Sequence, residues 1–82
     1  MSAILEKPFV SGARQTLRAL REGRVRRVYI ASDAAPRVVE PVRAVADEAH
    51  VPVRGIPTMR ELGRACGLSV GCACAASLHP ES

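Results

Sequence analysis

The chain has 82 residues and a mass of 8.7 kDa, room for one small domain with a modest core and none for separate catalytic and binding domains. Its net charge is +4, its hydrophobic content 48% and its aromatic content only 2%, from Phe9 and Tyr29. That composition excludes a disordered chain and folds that stack bases on a sheet of aromatic side chains. No apolar run approaches the roughly 20 residues that span a bilayer, and residues 1–8 lack the basic-then-apolar order of a signal peptide. Three cysteines cannot all pair within one chain. The expectation is a cytoplasmic, monomeric domain with reduced thiols and no membrane or DNA partner.

Residues 1–8 read as a lead-in, partly helical, with a short strand at Phe9-Val10. Ser11-Gly12 is a helix-start signal, followed by Ala13, Thr16, Leu17, Ala19 and Leu20 at helical spacing. Gly23 stops this helix after about eleven residues. On a helical wheel Arg14, Arg18 and Arg21 fall within about 60° of one another, with Ala13, Leu17 and Leu20 as the inward stripe and Gln15 on the exposed shoulder. Val28-Tyr29-Ile30-Ala31 is a continuous apolar run, the pattern of a buried strand. Pro36 suits a first helical turn, whereas Pro41 would cost about 3 kcal/mol inside a helix. Residues 36–40 therefore read as an irregular turn and residues 41–49 as the main helix, with Val42, Val45, Ala46 and Ala49 inward.

Residues 51–56 form a second buried strand, begun by Pro52. Thr58-Met59-Arg60-Glu61 fits a capping box and opens a helix through Cys66, with Leu62 and Ala65 inward and Gly67 as its stop. A loop at residues 68–71 leads to a last strand of small residues, 72–78, and a tail at 79–82. The alternation of strands and helices implies an α/β chain, a three-layer α/β/α sandwich with a small mixed sheet in a single domain.

Charge is concentrated. Residues 7–27 hold Lys7, Arg14, Arg18, Arg21, Arg24, Arg26 and Arg27 against Glu22 alone. A positive face of this kind suits an anionic partner such as a phosphate backbone, although a solvated helix face has the same composition. Catalytic chemistry finds no constellation. His50 and His79 lack a Cys, Ser or acid at motif spacing, and Gly12 and Gly23 belong to no phosphate-cradling run. Asp33 fits a turn former better than a catalytic acid. Cys66, Cys72 and Cys74 have no zinc-finger spacing and read as small core residues, Cys72 and Cys74 sharing one strand face; a fourth ligand for a metal would have to be His79. The expectation is a non-enzyme without cofactor or metal.

Several segments taken together resemble one family. They are Gly12-Ala13-Arg14-Gln15-Thr16-Leu17-Arg18-Ala19-Leu20, Gly23, Val28 through Pro36, Val51-Pro52-Val53 and Glu61-Leu62-Gly63-Arg64-Ala65-Cys66-Gly67. The chain resembles the kink-turn RNA-binding ribosomal-protein family (the L-seven-Ae type), most closely its short bacterial YbxF-type members. The resemblance runs from about Phe9 to Leu78. It implies a non-catalytic protein that recognises and stabilises a kink-turn, a sharply bent RNA with tandem G·A pairs. Such a ribonucleoprotein component would be ribosome-associated or bound to a structured non-coding or regulatory RNA.

By position, the resemblance gives Gly12 the role of permitting close backbone approach and Arg14 and Gln15 that of reaching purine edges. Arg18 would contact a guanine or phosphates, and Leu68, Ser69, Val70 and Gly71 would cover bases unstacked at the bend. The chain departs from archaeal and eukaryotic members, which commonly carry Asn-Glu where this sequence has Arg14-Gln15. It also has Ala35 in place of an acid before the turn proline, and Met59 in place of a lysine. A second reading, from another class, is a protein-interaction module that offers the basic helix and apolar loop to an acidic partner.

Overall fold

The computed structural model describes residue 5 and residues 7–80; most of the expected lead-in and the last two residues of the tail lie outside the described residues. Strands and helices alternate as β1 (Phe9–Ser11), α1 (Ala13–Arg21), β2 (Val25–Ala31), α2 (Pro36–Glu48), β3 (Val53–Ile56), α3 (Met59–Ala65) and β4 (Cys74–Leu78). The sheet order is β1-β4-β2-β3. β4 is antiparallel to both β1 and β2, while β2 and β3 are parallel. The expected mixed sheet and α/β architecture are therefore present. α1 and α2 pack together, and α3 lies against β2, β3 and β4.

The two inner strands carry the core. β4, Cys-Ala-Ala-Ser-Leu, is buried along its whole length, as is β2 from Val28 to Ala31. Small side chains at Ala75 and Ala76 suit a strand covered on both faces, because they leave room for helices above and below. Pleat alternation puts Tyr29 and Ser77 on one face, where Ser77 Oγ donates a long 3.5 Å hydrogen bond to the Tyr29 hydroxyl. Cys74 points to the other face, toward Thr16 of α1.

Several boundaries differ from those expected. Ser11 ends β1 and does not cap α1; the cap position is Gly12, at φ 95° and ψ 150°, and no side chain caps it. α1 has nine residues, and its buried residues are Thr16, Ala19 and Leu20, with Ala13 and Leu17 half-buried. α2 is one helix of 13 residues running through Pro41. Its missing N–H affects only one bond, and Arg37 and Pro41 both face solvent, where water can satisfy the freed carbonyl. Val39, Val42 and Ala46 are its buried residues, while Ala49 is exposed. β3 starts at Val53, after Pro52, whose carbonyl accepts the Val28 N–H at 2.9 Å. Cys72 precedes β4 and is not on a shared strand face with Cys74; its Sγ instead donates to the Cys74 carbonyl at 3.0 Å.

Candidate nucleic-acid interface

The strand directions bring the helix starts together. β1, β2 and β3 all run antiparallel to β4 or parallel to a strand that does, so α1, α2 and α3 all begin at one end of the sheet. Short bonds tie this end across its width. Gly12 N donates to Cys74 O at 2.8 Å, Ala31 N to Ala73 O at 2.9 Å, and Ser32 N to Ile56 O at 2.7 Å. The segment that feeds β4, residues 68–73, therefore emerges beside the start of α1. In open α/β sheets the strand carboxyl ends are where ligands are received.

The three helix starts are finished differently. α3 is capped: Thr58 Oγ1 accepts the Glu61 N–H at 3.1 Å, and Asp33 Oδ1 accepts the Met59 N–H at 2.8 Å. The expected box is thus half made by Thr58, and Asp33, read as a turn former, also caps a helix 26 residues away. Neither α1 nor α2 has a side-chain cap or an acid in its first turn. Each helix carries arginine at its second residue: Arg14, Arg37 and Arg60. A cation there opposes the helix dipole and costs a few tenths of a kcal/mol or more. Three such choices place three arginines at one end of the sheet at some cost to the helices that carry them.

Every residue expected to face RNA is on this surface or along α1. Arg14, Gln15 and Arg18 are exposed, and Gly12 is half-buried. Gly12 adopts a backbone conformation that side-chain-bearing residues rarely reach, and a Cβ there would meet nothing within 4 Å. Its requirement for glycine is conformational, and the space beside it is open. Arg18 Nε lies 3.5 Å from Glu22 Oε2, and Arg24 Nη1 3.0 Å from Glu22 Oε1. The Arg24 hydrogen bond, joined by Arg18, holds the Glu22 carboxyl below its ordinary range. Such exposed pairs are weak, and Arg18 can exchange Glu22 for another anion.

The loop at residues 68–71 stands outward. Leu68 is 41% exposed and Val70 68% exposed, so neither packs into the core. Backbone contacts hold the loop on α3: Leu68 N donates to Gly63 O at 2.9 Å, and Cys72 N to Met59 O at 3.0 Å. A Cβ on Gly63 would run into the Val70 carbonyl and sit 3.2 Å from Gly71 Cα; one on Gly71 would sit 3.2 Å from Met59 Cβ. The two glycines let loop and helix lie backbone against backbone.

The cysteines bracket this loop. Cys72 and Cys74 are buried and Cys66 is half-buried, all as free thiols. Burial, with Cys72 nearby, pushes the Cys66 thiol up to about 12 and that of Cys74 to about 11; they behave as neutral core side chains. Among the described residues no group of His, Cys, Asp or Glu could hold a metal ion, and no helix is long and apolar enough to cross a membrane.

The model of the Ribosomal protein L7Ae/L30e/S12e/Gadd45 family matches residues 3–82. The chain belongs to this family. An RNA-binding protein of Geobacillus kaustophilus is 46% identical over 70 residues, 85% of each chain. RNA-binding protein YbxF of Geobacillus stearothermophilus shows the same identity and coverage. Among solved structures, the Giardia lamblia 15.5kD RNA binding protein superposes with a TM-score of 0.82 at 30% identity, over 89% of this chain and 62% of the other. A Bacillus halodurans protein of unknown function, at 22% identity and TM-score 0.79 over 88% of this chain and 72% of its own, shares the fold. Relatives similar to this chain are thus RNA-binding proteins by name.

Proposed function

We propose that the chain binds RNA without catalysis and stabilises a kink-turn, using the start of α1 and the loop at residues 68–71 as one continuous surface. The observation that carries this reading is the Gly12–Cys74 hydrogen bond, which sets the uncapped start of α1 next to the segment bearing the exposed loop. Two unlike surfaces then meet at one place. One offers open backbone donors, Arg14 and Gln15 to groove edges and phosphates. The other offers apolar contact from Leu68 and Val70 to unstacked bases. A bent RNA with widened groove and flipped-out bases presents both needs at one point. Binding shifts the RNA toward its kinked form by differential affinity for that form, in the cytoplasm on a ribosomal or other structured RNA.

The experiment is a titration of a kink-turn RNA with the protein and with Gln15→Ala and Arg18→Ala variants. Each substitution removes an exposed side chain and leaves the fold intact. The expected result is a loss of about fivefold or more in affinity for each, from contacts of roughly 1–3 kcal/mol. Unchanged affinity in both variants would place the interface elsewhere.

A further inference from the structure

A shallow cavity of about 430 Å³ lies between α3 and the loop, lined by Arg60, Arg64, Leu68, Ser69, Val70 and Gly71. The resemblance assigns RNA contact to the loop but none to the two arginines of its other wall. Arg60 and Arg64 are four residues apart and so share one face of α3. Both are exposed, and neither makes an ion pair among the described residues. Two cations at this spacing repel each other, and Arg60 additionally opposes the dipole at the helix start. The neighbouring acid, Glu61, makes no ion pair with either among the described residues. The glycine contacts described above hold the loop wall in place, so the cavity is formed without a ligand. Its lining is mostly polar and brings two arginines without an ion pair among the described residues beside the loop residues Leu68 to Gly71.

We infer that this groove receives the sugar–phosphate backbone of the bound RNA, with Arg60 and Arg64 pairing to phosphate oxygens while Leu68 and Val70 face the adjoining unstacked bases. This rests on the RNA-binding reading and extends its footprint from α1 across the loop to α3. A guanidinium fork matches phosphate oxygens in geometry as well as charge, and a phosphate between the two arginines relieves their repulsion. The contact adds affinity but no sequence preference, because phosphates are the same in every RNA.

The test is the salt dependence of binding by the wild-type chain and by the Arg60→Gln/Arg64→Gln double variant, each with a kink-turn RNA and with a control whose G·A pairs are replaced by Watson–Crick pairs. Two lost phosphate contacts should flatten the slope of log affinity against log salt by about 1.4–1.8. Affinity for both RNAs should fall at low salt, and the preference for the kink-turn should be unchanged. Thermal unfolding of the variant should be no earlier than in the wild type, since a repulsive pair is removed. An unchanged slope would overturn the inference, as would a loss confined to the kink-turn RNA. Failure of the kink-turn reading is a separate outcome: the wild type would show no preference between the RNAs, while the slope difference would still report on the groove.

Discussion

Individual residues in this chain are placed by backbone conformation and burial as much as by chemistry. His50 follows α2 with φ 58°, a left-handed conformation that costs an ordinary side chain roughly 1 kcal/mol and glycine almost nothing. His50→Gly should raise unfolding free energy by about 0.5–1 kcal/mol in urea titration. The thiols give a pH dependence with a definite sign. Cys66 and Cys74 are held protonated in the folded chain, up to about 12 and about 11, against an unfolded value near 9.0. Their stabilising contribution is complete below pH 9; above it the unfolded chain loses these protons first, so stability falls as pH rises toward the folded values. The melting temperature of the wild type should drop between pH 9 and pH 11, and a Cys74→Ala variant, less stable at pH 7 from its cavity, should show a shallower drop.

At the scale of the elements, the organising fact is that three helices start at one end of one sheet. Arg14→Glu should separate folding from binding there. An acid in the first turn of α1 suits the dipole and should stabilise the fold by about 0.3–1 kcal/mol, yet weaken RNA binding by tenfold or more. Parallel denaturation and binding titrations would show the opposite signs; a variant weakened in both would mean that Arg14 supports the fold. Gly63→Ala should act through contact: its methyl group displaces the Val70 carbonyl, and RNA affinity should fall further than for an alanine substitution at exposed Ser69. Much of this level was legible in the sequence. Gly23 and Gly67 marked helix ends because both sit at positive φ, and Thr58 marked the start of α3. Pro41 misled because a local penalty was set against a helix whose buried face, Val39, Val42 and Ala46, supplies the larger energy. Asp33 looked like a turn former because its partner, Met59 N–H, is distant in sequence. Arg60 and Arg64 stand in the capping and family motifs, but only the helical register of α3 puts them on one face beside the loop.

For the whole molecule, topology gathers three helix starts, each with an arginine at its second residue, at one end of the sheet. Sequence alone located the basic stretch at residues 7–27, and strand pairing, which no local pattern encodes, set the loop at residues 68–71 beside its leading helix. The sheet order puts β4 between β1 and β2, and this non-local choice joins Gly12 to Cys74. The near absence of aromatic residues fits the proposed reading of groove edges from a helix start, with exposed Leu68 and Val70 as the proposed apolar contact. The most direct test of kink-turn recognition is a comparison, at one fixed salt concentration, of affinity for a kink-turn RNA and for the same RNA with its G·A pairs changed to Watson–Crick pairs. The proposed recognition predicts binding at least about thirtyfold tighter to the kink-turn, at about 1–3 kcal/mol for each of the two altered pairs; equal affinity for the two RNAs would contradict it.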